Sequence, residues 1–215
     1  MIKVGDKLPA GKLQEFIEVE VEGNGCSIGP NTFDVAALTA GKKIAVFALP
    51  GAYTPTCSAK HVPGYVANCD KLKAAGVDEV WCLSVNDAFV MGAWGRDQKT
   101  GGKVRMMADG SADFTKATGL TLDLAARGMG LRSNRYSMLV VDGVVKTLNV
   151  EAPGKVEVSD AQTMLAQAQA TPWMVRVHAL NVWQDVLGMA ATDSRRNLVH
   201  QSMEMIAREG RGVIV

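Results

Sequence analysis

The run Ile44-Ala45-Val46-Phe47-Ala48-Leu49, broken at once by Pro50-Gly51, constrains the fold more than any other stretch of this chain. A continuous apolar run without alternation describes a strand covered on both faces, and such strands belong to sheets with helices on each side. The residues after the break suit a helix start. Thr54 is a good N-cap, and Pro55 fits the first helical position, where its missing N–H costs nothing. Cys57 then falls in the first helical turn. Unpaired backbone N–H groups there carry partial positive charge, which favours a thiolate. The competing reading is an inert core thiol, since free cysteines are among the most buried residue types.

Strand-like and helix-like segments alternate beyond an irregular start that contains Glu18 to Glu22 and Gly23-Asn24-Gly25-Cys26, an α/β rhythm. The helix from Pro55 is expected to reach Ala75 and stop at Gly76, with a kink at Pro63. Val80 to Val85 reads as a second buried strand, followed by a helix capped by Asn86 or Asp87 and running through Trp94. Val104 to Ala108 is a third strand. Tyr136 to Val141 and Val144 to Val150 are β-rich runs joined by Asp142-Gly143, the dipeptide that favours a type I′ turn. Ser159 or Asp160 then caps a helix that docks Met164, Leu165 and Ala168 on the sheet.

At 215 residues and 47% hydrophobic content, one main domain with an appendage is expected. A net charge of +1 gives no global field to gather nucleic acid or an anionic membrane. No secretory segment or 20-residue apolar run is evident, so the expectation is a soluble, cytoplasmic protein. Cys26, Cys57, Cys69 and Cys82 show neither C-x-x-C nor metal-ligand spacing, and His61, His178 and His200 form no cluster with them. Neither a metal nor another cofactor is expected.

Pro50, Thr54 and Cys57 form a P-x-x-x-T-x-x-C pattern that resembles the active-site signature of peroxiredoxins, thiol peroxidases on a thioredoxin-like scaffold. Phe47 to Ser58, His61-Val62-Pro63-Gly64-Tyr65, Ser84 to Val90 and Arg135-Tyr136-Ser137-Met138 are similar to the type 5, or type II, subgroup. The resemblance spans about Ile2 to Ala168 and implies a thioredoxin-like domain over 1–168, with residues 169–215 as a C-terminal α/β extension. It implies that Cys57 attacks the peroxide to give a sulfenic acid, with Thr54 beside the reacting oxygens and Pro50 shielding the pocket. The Gly51 and Thr56 region would supply backbone N–H groups, and Arg135, with Arg132 as fallback, the cation near the sulfur. His61, four residues after Cys57, could line the pocket mouth.

The subgroup's animal-type members carry a resolving cysteine in the region of Val156 to Ser159, and this chain has none there. That departure favours a one-cysteine cycle recycled by glutathione, with or without glutaredoxin. Cys69 lies 12 residues from Cys57 on one predicted helix, roughly 18 Å away and beyond disulfide reach. Cys82 matches a second cysteine of plant-type members; an inert core thiol is the preferred reading, and a two-cysteine enzyme using thioredoxin the alternative. A redox sensor or holdase is another alternative. The resemblance also implies a homodimer. Cys26 has no assigned role.

Beyond Ala170 the pattern changes: Thr171-Pro172 breaks the chain, Met174 to Val177 reads as a strand, and Asp193-Ser194 caps a helix through Ala207 before a terminal Val213 to Val215 strand. This tail resembles part of a GTP cyclohydrolase II-like riboflavin-biosynthesis domain through Val175 to His178, Asp185 to Gly188 and Ile206 to Val215. The zinc cysteines of such an enzyme are absent, and no catalysis is assigned to it.

Overall fold

The computed structural model describes residues 1–20 and 26–171, with side chains for 1–17 and 29–171. Its elements in chain order are β1 (Lys12–Glu20), β2 (Cys26–Asp34), α1 (Val35–Thr39), β3 (Lys43–Leu49), α2 (Val62–Ala74), β4 (Glu79–Ser84) and α3 (Ala88–Asp97). They continue with β5 (Arg105–Ala108), α4 (Asp113–Thr118), β6 (Thr121–Leu124), β7 (Gly130–Ser133), β8 (Tyr136–Val141), β9 (Val144–Val150) and α5 (Ala161–Ala170). Seven strands form one mixed sheet in the order β2-β1-β5-β4-β3-β8-β9, and β6 pairs with β7 in a separate ribbon. The sheet's centre is parallel, β3 to β4 to β5, and its remaining pairings are antiparallel.

The apolar run has its physical reason in β3, which is buried along its whole length. Side chains alternate across a strand, so Ala45, Phe47 and Leu49 enter one apolar cluster while Ile44, Val46 and Ala48 enter the other. The first cluster is covered by Tyr65, Cys69 and Leu72 of α2, Trp94 of α3 and Met164 of α5. Val35 at α1 and Phe114 of α4 cover the second. This is the helix-flanked mixed sheet implied by the resemblance. Lys43 adds a polar tie, donating to the last carbonyls of two helical segments, Ala75 O at 2.9 Å and Ala168 O at 2.7 Å.

Local expectations resolve into particular residues. Asp142 and Gly143 both have positive φ, 50° and 73°, as a type I′ turn requires. Asp87, not Asn86, caps α3 by accepting from Val90 N. Asp160, not Ser159, caps α5 by accepting from Gln162 N and Thr163 N. The start of the chain departs from expectation: its supposedly irregular segment is a hairpin with Lys12 opposite Asp34 and Glu20 opposite Cys26. Lys12-Leu13-Gln14-Glu15-Phe16-Ile17 lacks strict alternation because the hairpin lies at the sheet edge, where only part of a strand is covered. Cys26 therefore opens β2 rather than sitting within a loop. Met1–Ala170 forms one compact unit. The expected tail strands and helix lie outside the described residues.

Candidate active site

The site lies where β3 ends and the chain turns into a helix. Helical geometry begins at Pro55, but Cys57–His61 is a π turn, in which Val62 N donates to Cys57 O five residues back. Pro63 comes next, in the first turn of α2, and has no N–H to give. The sequence predicts a kink at Pro63; the irregularity the structure shows is this widened turn just ahead of it. Cys57 is wholly buried there.

Sheet register brings the cation. β8 runs antiparallel to β3 with Tyr136 opposite Ala48, so Arg135 arrives at the β3 end beside the helix start. Its Nη2 donates to Cys57 Sγ at 3.3 Å, while Nη1 lies 3.0 Å from His61 Nδ1. Arg132, the fallback, is committed elsewhere: Nε donates to Met129 O at 2.7 Å and Nη1 to Val85 O at 2.9 Å.

His61 is not at a pocket mouth. It is buried behind Arg135, because the π turn carries it into the core and packs it beside Phe47. Burial pushes its imidazole down to about 4; the Ser159 carbonyl opposes that shift and Arg135 adds to it. The neutral ring has one tautomer consistent with its neighbours. Arginine only donates, so Nδ1 accepts; Ser159 O only accepts, so Nε2 donates across 3.0 Å.

Glu151 anchors the loop that supplies this carbonyl. Its Oε1 accepts from Glu157 N, Val158 N, Ser159 N and Ser159 Oγ, all within 2.8 Å. Burial pushes the carboxyl up, but those bonds outweigh it and hold the group below its ordinary range. Asn86 performs a similar task in front: its Oδ1 accepts from Ala52 N at 3.0 Å and Ser84 Oγ at 2.7 Å, tying the 50–54 segment to the end of β4. Sequence reasoning missed both roles. Asn86 showed only a cap signal, and Glu151 showed none.

A cavity of about 800 Å³ opens in front of Arg135. Pro50, Thr54 and Thr56 form part of its wall. Thr54 Oγ1 donates to Gly51 O at 2.8 Å, and a side chain at Gly51 would meet Arg132 Nη1 and Thr54 Cγ2 at 3.3 and 3.4 Å. Gly51 thus packs behind the cavity wall. The other described thiols are differently placed. Burial pushes the Cys82 thiol well up, and nearby Cys57 adds to this; Cys69 is buried and donates to Lys103 O. Among the described residues, no three His, Cys, Asp or Glu side chains gather as a metal site would.

Residues 3–165 match the Redoxin family, and residues 154–215 match the GTP cyclohydrolase II family. Peroxiredoxin-2B of Arabidopsis thaliana is 44% identical over 164 residues, spanning 76% of this chain and 96% of its own. Reduced Prx3 of Vibrio vulnificus, solved in complex with hydrogen peroxide, is 50% identical with a TM-score of 0.68, over 78% of this chain and 99% of that one. A Burkholderia cenocepacia structure, provisionally described as a thioredoxin reductase, is 66% identical with a TM-score of 0.74, over 77% and 97%. The Redoxin match runs through the segments that bring sulfur and guanidinium together, and the chain belongs to the Redoxin family, in its type II, type 5-like peroxiredoxin branch, as a thiol peroxidase whose peroxidatic cysteine is Cys57.

Proposed function

We propose that this peroxidase reduces hydrogen peroxide and organic hydroperoxides in a one-cysteine cycle recycled by an external thiol, glutathione with or without glutaredoxin. The Cys57 thiolate attacks the terminal peroxide oxygen, the O–O bond breaks, and the other oxygen leaves with a proton as water or an alcohol. Arg135 brings positive charge to the place where negative charge moves from sulfur to oxygen. The Thr54 hydroxyl has its proton committed to Gly51 O, so it serves the peroxide O–H as an acceptor. Pro50 excludes water from one wall, and Thr56 borders the same cavity. Two external thiols then return Cys57 to its reduced state, giving one disulfide and one water.

The observation that carries the one-cysteine reading is Cys82: a fully buried thiol pushed up by desolvation makes a poor attacking group. A two-cysteine cycle through Cys82 and thioredoxin is the second reading, favoured by its place in the same apolar cluster as Cys57. We further propose a cytoplasmic homodimer, for which exposed Tyr53 and Phe89 supply apolar surface. The deciding experiment is the intact mass of reduced protein after one equivalent of peroxide, without added thiol. One added oxygen on Cys57 supports the one-cysteine cycle, and loss of two hydrogens with Cys57 bridged to Cys82 overturns it. Stoichiometric oxidation without turnover under any thiol would instead indicate a sensor.

A further inference from the structure

The cavity before Arg135 is far larger than hydrogen peroxide needs. Water takes about 30 Å³ in the liquid, so two bonded oxygens need about 60 Å³, less than a tenth of the space of about 800 Å³. One wall comes from β6 and the turn after it, outside the main sheet. Leu122 and Leu124 lie two apart on β6, the spacing that puts both on one face, and Met129 extends the apolar lining.

One cation on this wall is uncommitted. Arg127 closes the short 3₁₀ turn after β6, is exposed, and makes no hydrogen bond or ion pair among the described residues. The two other charged lining groups are engaged: Arg135 holds Cys57 and His61, and Glu151 Oε1 gathers the 157–159 backbone. An apolar cavity with a spare guanidinium fits an apolar chain bearing an anionic group. We infer that it is a subsite for hydroperoxides of carboxylic acids, with the chain against Leu122, Leu124 and Met129 and the carboxylate on Arg127.

This rests on Cys57 being the group oxidised by peroxide. The step is the same: the distal oxygen bonds to sulfur, the O–O bond breaks, and the proximal oxygen takes a proton to leave as a hydroxy acid. The test measures the second-order rate of Cys57 oxidation in prereduced protein, with no recycling thiol present. The probes are a medium-chain hydroperoxy fatty acid, its methyl ester, both below micelle-forming concentrations, and hydrogen peroxide. An exposed ion pair is worth up to about 1 kcal/mol, so the acid should react about threefold to fivefold faster than the ester in the unaltered protein. Arg127→Gln should remove that preference, Arg127→Lys should retain most of it, and neither should change the hydrogen peroxide rate. Leu124→Asn should slow acid and ester together while sparing hydrogen peroxide.

Equal rates for acid and ester, a preference that survives Arg127→Gln, or an indifferent Leu124→Asn would each overturn the subsite. Failure of hydrogen peroxide to oxidise Cys57 would overturn the peroxidase reading itself, and the subsite with it.

Discussion

Cys57 and Cys82 lie in one apolar cluster, both shut off from solvent, yet their surroundings differ in kind. Cys82 sits in the middle of a central strand, where the cost of burying charge, added to by nearby Cys57, pushes its thiol up. Cys57 sits in the same cluster on a π turn, beside the guanidinium of Arg135, which itself lines the cavity. Burial therefore does not distinguish a reactive thiol from an inert one here; a cation beside the sulfur does. The largest expected effect concerns the sulfur itself. Cys57→Ser should abolish peroxide consumption, whereas Cys82→Ser should leave the rate of Cys57 oxidation within about twofold, read by stopped-flow under single-turnover conditions. Substantial turnover in Cys57→Ser would break the comparison outright.

The comparison is sharpened by removing the cation alone. Arg135→Gln should slow oxidation by about 10²- to 10³-fold, the range seen when a donor at developing charge is lost. Arg135→Lys keeps the charge, but an ammonium lacks the fork that reaches Cys57 Sγ and His61 Nδ1 together, so its rate should fall between those of the unaltered protein and Arg135→Gln. Circular dichroism and unfolding curves recorded beside the kinetics separate this from loss of fold. A rate unchanged in Arg135→Gln would show that the cation beside the sulfur has no part in the reaction.

The front of this site was legible in the sequence because its signals are local. A buried strand, a proline at the helix start and a cysteine succeed one another within the segment Ile44 to Cys57, although Thr54, expected to cap the helix, turns its hydroxyl to Gly51 O instead. Asp142-Gly143 was equally readable, since two positive φ angles in succession demand such residues. Arg135 needed the family resemblance, because its place depends on β8 registering against β3. The rear was not legible. His61, Ser159 and Glu151 lie on three elements distant in sequence, and only tertiary packing joins Arg135 to the 157–159 loop. Helical spacing put His61 on the face of Cys57, but could not say that the π turn buries that face. Arg127 offered no pattern at all: its significance lies in the absence of a partner among the described residues.

That hidden rear has a pH signature. The His61 imidazole titrates near 4 in the folded chain and near 6.5 when unfolded, so between these values the unfolded state binds the extra proton. Stability from this group is complete above about pH 6.5 and is lost as pH falls towards 4. About 2 kcal/mol should be gone by pH 5, and about 3 kcal/mol in total. Glu79 and Glu151, held below the ordinary carboxylate value of 4.5, lose their contributions only as pH falls below it. Urea unfolding at pH 7 and pH 5 should show the loss, and His61→Asn should flatten it. A slope that persists in His61→Asn would assign the titration to another group and detach His61 from the cation.

The smallest expected effect tests the other half of the comparison. If Cys82 is only packing, Cys82→Ala removes one buried atom from a close-packed strand and should cost about 1 kcal/mol, in the range of deleting a single core methyl group. Cys82→Ser should cost more, about 1–3 kcal/mol, if the hydroxyl finds no partner there. Both variants should oxidise at Cys57 and, on the proposed one-cysteine cycle, be recycled by an external thiol at the rate of the unaltered protein. The ordering Ala above Ser in stability, with recycling untouched, is what an inert thiol predicts. Recycling that fails in both variants while oxidation proceeds would mean that Cys82 leaves its cluster during turnover, and that the strand interior opens far enough to deliver it.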